Sequence, residues 1–109
     1  MALAQDHPRF PTEEYDRRYA EVRRRMRDRG LDVLIVYGDS GSHGGNHANV
    51  KYLANYQDPV ASYLVFPLRG EPALYISNRL YLPYASRMSV VPETDAVDYD
   101  PAGKVERRI

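Results

Sequence analysis

Cysteine is absent from this chain, and with it go a disulfide framework, a thiolate zinc site and a cysteine nucleophile. Tryptophan is absent too, and phenylalanine and lysine occur only twice each. No apolar run approaches the roughly 20 residues that span a bilayer, which argues against a membrane partner. The first residues, Met-Ala-Leu-Ala-Gln-Asp-His-Pro, lack the basic start and apolar core of a signal peptide, so the expected location is cytoplasmic. Net charge is missing as well. Fifteen basic residues balance 15 acidic ones, and no nucleic acid is expected as a partner.

What remains is 109 residues with 43% hydrophobic and 28% charged content, one domain (1–109) of ordinary globular composition with a modest core. Ten tyrosines carry most of the aromatic content. An apolar body with a polar tip suits them to interfaces and pocket walls.

Residues 1–11 hold two prolines and no periodicity, and read as an extended arm. Thr12 is placed to cap a helix whose first turn carries Glu13, Glu14 and Asp16, where the helix dipole favours negative charge. Tyr15, Tyr19, Val22 and Met26 recur on one helical face, and Gly30 supplies the stop. The opposite face carries seven arginines against five interleaved acidic residues, an excess of only two. Local ion pairs on a solvated face are the better reading of it than an anion-binding surface.

Residues 33–37 form a β-branched apolar run, as expected of a strand covered on both faces. A loop over 38–46 follows with four glycines, then a helix starting at Asn46 or Ala48 with Val50, Leu53 and Ala54 inward. Residues 62–66 and 73–76 read as a hairpin around Pro67-Leu68-Arg69-Gly70. Pro83 should open a helix reaching Arg87. Short strands are expected over 89–91 and 96–99. Asp100 and Pro101 announce a helix of barely two turns, too short to stand alone, and so the chain is expected to be cut from something longer. The fold class that results is α/β, a mixed β-sheet flanked by helices.

Three motifs suggest chemistry. Gly38-Asp39-Ser40 after a strand is similar to the nucleophile block of the Gly-Asp-Ser-Leu esterases, with Ser40 as nucleophile. No matching base or oxyanion block follows, and a polar Gly/Ser loop after a strand is common. His43 and His47 stand four apart, but Gly44 and Gly45 between them oppose a helical metal pair, and only Asp39 is nearby to complete a ligand set. The loop glycines form neither a dinucleotide nor a phosphate-loop pattern. Thus no catalytic residue and no metal ligand is assigned to this chain.

Residues 29–36 and 49–56 together resemble the N-terminal domains of creatinase, prolidase and Xaa-Pro aminopeptidases. The first block, Arg-Gly-Leu-Asp-Val-Leu-Ile-Val, is similar to the family's Gly-Leu-Asp-x-Leu-Leu-Val. The second is similar to Asn-Val-Arg-Tyr-Leu-Thr-Gly-Phe, with Lys51 for Arg, Ala54 for Thr, Asn55 for Gly and Tyr56 for Phe. The hairpin over 63–76 resembles the next family segment. The likeness covers most of residues 12–100, while the 38–46 loop is longer than the usual link.

The resemblance implies a small mixed α/β domain, incomplete at its C-terminal end, in front of a "pita-bread" catalytic domain. In that domain two divalent metals (Mn, Co or Zn), held by two Asp, one His and two Glu, would activate water against an Xaa-Pro bond. None of that set falls on this chain. Its implied role is non-catalytic, giving subunit contacts in a homodimer and a substrate rim for a proline-containing peptide. His43, His47, Tyr52 and Tyr56 are the rim candidates, with loop hydrogen bonding and helix packing as the plainer reading of the same residues. The alternatives are an accessory domain of a metal-free, creatinase-like amidinohydrolase, a small serine esterase using Ser40, and a stand-alone interaction domain.

Overall fold

The computed structural model describes residues 8–41 and 45–109. Among them the order is α1 (Thr12–Asp28), β1 (Val33–Asp39), α2 (Ala48–Ala54), β2 (Ala61–Pro67), β3 (Ala73–Ile76), a single 3-10 turn (Arg79–Tyr81), α3 (Leu82–Met88), β4 (Glu93–Ala96) and α4 (Pro101–Arg108). The strands form one sheet in the order β1-β2-β3-β4. β1 runs antiparallel to β2 over an unbroken register from Val33 opposite Pro67 to Asp39 opposite Ala61. β2 and β3 form the expected hairpin, and β3 pairs parallel with β4 through the α3 crossover. The fold is therefore the mixed α/β sheet with flanking helices that the sequence pattern predicts.

The apolar stripe of α1 packs as its spacing requires, with Tyr15 and Met26 buried. The helix ends in a Schellman motif. Leu31 N–H donates to Met26 C=O at 2.9 Å and Gly30 N–H to Arg27 C=O at 3.1 Å, with Gly30 at φ +69°. Its arginines are paired locally: Glu14 accepts from Arg17 and Arg18, and Glu21 from Arg24 and Arg25. Arg18 also lies 4.2 Å over the Tyr52 ring and Arg23 lies 4.9 Å over Phe66, so two of these cations lie on the aromatic edge of the core.

One face of the sheet presents Leu34, Val36, Leu64, Phe66, Leu74 and Ile76 to Met26, Val50, Leu53 and Ala85 from the helices and to Tyr56 just after α2. Each fully buried side chain of this size stabilises the fold by about 1.5–3 kcal/mol. The other face is thinner, with Val65, Ala73, Tyr75 and Val97 covered by Val105 of α4.

Three expectations are corrected. Thr12 does not cap α1. Pro11 takes the flanking position and its carbonyl accepts from Glu14 N–H, leaving Thr12 as the first helical residue. The β1 run is not covered on both faces: it is the edge strand, and Ile35 and Tyr37 are about half exposed. The strands expected at 89–91 and 96–99 are replaced by a single one, β4, which shares only Ala96 with the second. Ser89 Oγ accepts from Val91 N–H at 2.9 Å and turns the first segment, while Asp98 at φ +57° breaks the second. The remaining boundaries agree within the described residues; residues 1–7 of the arm read over 1–11 and residues 42–44 of the 38–46 loop lie outside them. Pro83 lies in the first turn of α3, and Asp100 accepts from Gly103 N–H at 3.0 Å at the start of α4.

Candidate functional site

The carboxyl ends of β1, β3 and β4 and the start of β2 lie at one end of the sheet, the usual place for a site in an α/β fold. The path of β1 into α2 is set by close backbone approach. A Cβ on Gly38 would lie 3.1 Å from Val50 Cγ2 and 3.3 Å from the Asn46 carbonyl oxygen. Asn46 N–H donates to Asp39 C=O at 2.6 Å, which folds the loop back onto the strand it leaves. Gly45 at φ +96° adopts a backbone that side chains rarely permit.

His47 and Ser40 meet across this loop, Nε2 to Oγ at 3.2 Å. Ser40 has one hydroxyl proton, and the Pro59 carbonyl is its nearest acceptor at 2.7 Å, with the Asp58 carbonyl at 3.3 Å. The tautomer inferred from this network has Nε2–H of His47 donating to Oγ. That polarity is the reverse of a base taking a serine proton. Nδ1 of His47 is buried and has no hydrogen-bond partner among the described residues. Ser40 therefore acts as a tie between the 38–46 loop and the segment before β2, which removes the support for the esterase reading.

That segment is organised by a residue the sequence reading passed over. Asp58, 1% exposed, accepts from Tyr56 Oη (2.8 Å), Val60 N–H (2.8 Å), Ala61 N–H (3.1 Å), Ser77 N–H (3.1 Å) and Ser77 Oγ (2.6 Å). One carboxylate thus joins the exit of α2, the start of β2 and the end of β3. Burial first, and then the hydrogen bond to Asp58, hold the Tyr56 hydroxyl far above the ordinary phenol range. The signal in the sequence was Asp58-Pro59 before a strand, where an Asp side chain can bond the backbone two residues on. Beside it is an open hollow of about 570 Å³ lined by Ser40, Pro59, Tyr81, Tyr84 and Met88.

The three rim candidates among the described residues do not converge. His47 is buried at the α2 entry, Tyr56 is fully buried beneath Asp58, and Tyr52 is exposed under the Arg18 guanidinium. His43 lies outside the described residues. Among the described residues no group of three or more His, Asp or Glu could hold a metal ion, and no helix is long and apolar enough to cross a membrane.

Residues 18–109 match the family described as the Creatinase/Prolidase N-terminal domain. No curated protein matches the chain. Among solved structures, a Creatine_N superfamily domain of a dipeptidase from Streptococcus thermophilus superposes with a TM-score of 0.62 at 18% identity, over 84% of this chain and 65% of that one. At that identity the likeness is one of fold. Dipeptidase PepE from Mycobacterium ulcerans superposes with a TM-score of 0.66 at 25% identity, over 90% of this chain and 26% of that one. The chain thus spans less than two thirds of either.

Proposed function

The chain belongs to the Creatinase/Prolidase N-terminal domain family, and from that premise we propose that it is the non-catalytic N-terminal domain, or a piece of it, of a metal-dependent Xaa-Pro aminopeptidase or dipeptidase. The observation that carries this reading is the family match over residues 18–109. The dipeptidase origin of the 25%-identical structural relative favours a peptidase parent over a creatinase-like amidinohydrolase. The catalytic domain would follow it in the parent protein and act on proline-containing peptides in the cytoplasm.

Two divalent ions, Mn, Co or Zn, would supply the hydrolytic water in that catalytic domain. The part proposed for this chain is to shape and restrict access to that site. The proposed substrate rim is the α2 entry, where His47 precedes the helix and Tyr52 stands on its outer side; His43 is kept as a rim candidate from the sequence alone. Tyr56 supports it from below through Asp58. The domain would also contribute contacts to a homodimer.

The test is to read the encoding frame beyond the codon for Ile109, express its product, and assay Ala-Pro hydrolysis with and without Mn. Activity in the longer product, with Tyr52→Ala raising KM more than it lowers kcat, is the expected result. Metal-dependent hydrolysis by the 109-residue chain alone would overturn it. So would a frame that stops at Ile109, which leaves an interaction domain.

A further inference from the structure

β1 is an edge strand without the usual protection. Natural edges are blunted by charge, proline, a bulge or a covering element, because free backbone groups pair with any strand they meet. From Val33 to Gly38 this strand carries no charge and no proline, and its register with β2 shows no bulge. Its outward side chains Ile35 and Tyr37 are 43% and 48% exposed.

Which backbone groups are free follows from the ladder. Leu68 N–H donates to Asp32 C=O and Ser40 N–H to Val60 C=O, so the even-numbered residues turn their backbone groups towards β2. In an antiparallel ladder the alternate residues turn theirs away. Val33, Ile35 and Tyr37 therefore point N–H and C=O outwards, and none of these groups has a partner among the described residues. The next outward residue, Asp39, has already given its carbonyl to Asn46.

We propose that this edge is a docking site for a second copy of the same chain, with β1 pairing antiparallel to its counterpart about a two-fold axis at Ile35. In that register Ile35 faces its own copy, Val33 faces Tyr37 of the second copy, and Leu34 faces Val36. Every outward N–H and C=O of Val33, Ile35 and Tyr37 gains a partner, since each of these residues then stands in a mutually hydrogen-bonded pair. Aromatic and β-branched side chains meet across the strands, a favourable combination. No like charges oppose each other: Asp32 falls opposite Gly38 and Asp39 opposite Leu31. Moving the axis by one residue to Val36 would set Val33 against Asp39, whose carbonyl is already taken by Asn46, and would leave the Val33 N–H without a free acceptor. The surface is its own complement, as an isologous two-fold contact requires, and this self-match is what selects a second copy over a foreign peptide strand.

This gives a definite geometry to the subunit contact proposed above, yet it stands on the strand alone. Its failure would leave the accessory-domain reading intact. The experiment is light scattering and sedimentation equilibrium of the chain over a range of concentrations, for the parent and for Ile35→Lys. A second arm uses Ile35→Cys treated with a short bis-maleimide, with Leu80→Cys, beyond β3 from this edge, as the exposed control in a chain that has no cysteine of its own.

The expected result is a concentration-dependent dimer that Ile35→Lys abolishes with its circular dichroism unchanged, together with cross-linking at position 35 and not at 80. A monomer at every concentration overturns the proposal. So does a dimer that survives Ile35→Lys, or one that cross-links at 80. Binding of a synthetic peptide of residues 31–39 by a chain that stays monomeric overturns it in favour of a foreign strand. Should Ile35→Lys fail to fold, the cross-link decides, and its absence refutes the pairing.

Discussion

Replacing Asp58 with asparagine tests the strongest energetic claim in this structure. The carboxylate accepts from five donors on three chain segments and is 1% exposed. An asparagine keeps one acceptor oxygen, which can still serve Val60, Ala61 and Ser77 Oγ. Its amide then faces Tyr56 Oη and Ser77 N–H. The phenol can rotate to accept, but the backbone N–H cannot, and an orphaned buried donor costs about 1–3 kcal/mol. Loss of charge assistance in the remaining bonds adds about 1 kcal/mol, for a total of about 3 kcal/mol. With an unfolding entropy of about 2.1 cal/mol/K per residue, each kcal/mol corresponds to about 4 °C in a chain of 109 residues, so Tm should fall by about 13 °C. Urea unfolding and calorimetry read this directly. Tyr56→Phe is the internal control: it removes one bond, leaves Asp58 with its other donors, and should cost only about 1 kcal/mol. A penalty for Asp58→Asn under about 0.5 kcal/mol, within the range of an ordinary surface change, would refute the reasoning, as would a larger penalty for Tyr56→Phe.

Other expectations follow from single residues. Asn55 holds φ +58° at the end of α2 while its Nδ2 donates to the carbonyls of Pro8 and Met88. Asn55→Ala should therefore cost about 1–2 kcal/mol for the left-handed backbone, plus the lost bonds. Asn55→Gly should lie between parent and alanine in urea unfolding. A fluorophosphonate probe should leave Ser40 unlabelled, because its hydroxyl already donates to Pro59; a covalent adduct found by mass spectrometry would revive the esterase reading. Hydrogen bonds from Arg17 and Arg18 lower Glu14 from 4.5 to about 2, so its stabilisation is present above pH 4.5 and is lost as pH falls towards 2. Glu14→Gln should flatten that acid limb modestly, and less at high salt. At the alkaline end, burial pushes Tyr19 from 10.0 to about 12, so stability is present below pH 10 and is lost as pH rises through 12. Tyr19→Phe should remove part of that loss in pH-dependent urea midpoints.

Local rules made much of the architecture legible. The spacing of Tyr15, Tyr19, Val22 and Met26 marked α1, and Gly30 marked its end, because a helix stripe and a left-handed stop depend only on near neighbours. Asp100-Pro101 announced α4 for the same reason. Even the Asn55 departure from the family's glycine has a local reason, since asparagine is the other residue that tolerates a left-handed helix end. The strand after α3 was misplaced because the fourth strand is short and polar, and only its parallel partner β3 determines which residues pair.

The candidate site was much less legible. His47 and Tyr56 are named as candidates for the substrate rim that the resemblance implies, yet both are buried, one against Ser40 and the other against Asp58. Asp58 acquires its role only when residues 56, 60, 61 and 77 come together, and separations of up to 19 residues leave no local pattern.

By itself the sequence determined the family, the helix limits, the hairpin and the absence of thiol chemistry, because each rests on composition or on contacts within a few residues. Tertiary structure alone decided that β1 is an edge, that Ser40 is a tie, and that Asp58 is the junction of three segments. Those properties depend on which neighbours a residue acquires across the sheet and which it lacks. A single strand carries no record of whether another strand lies beside it.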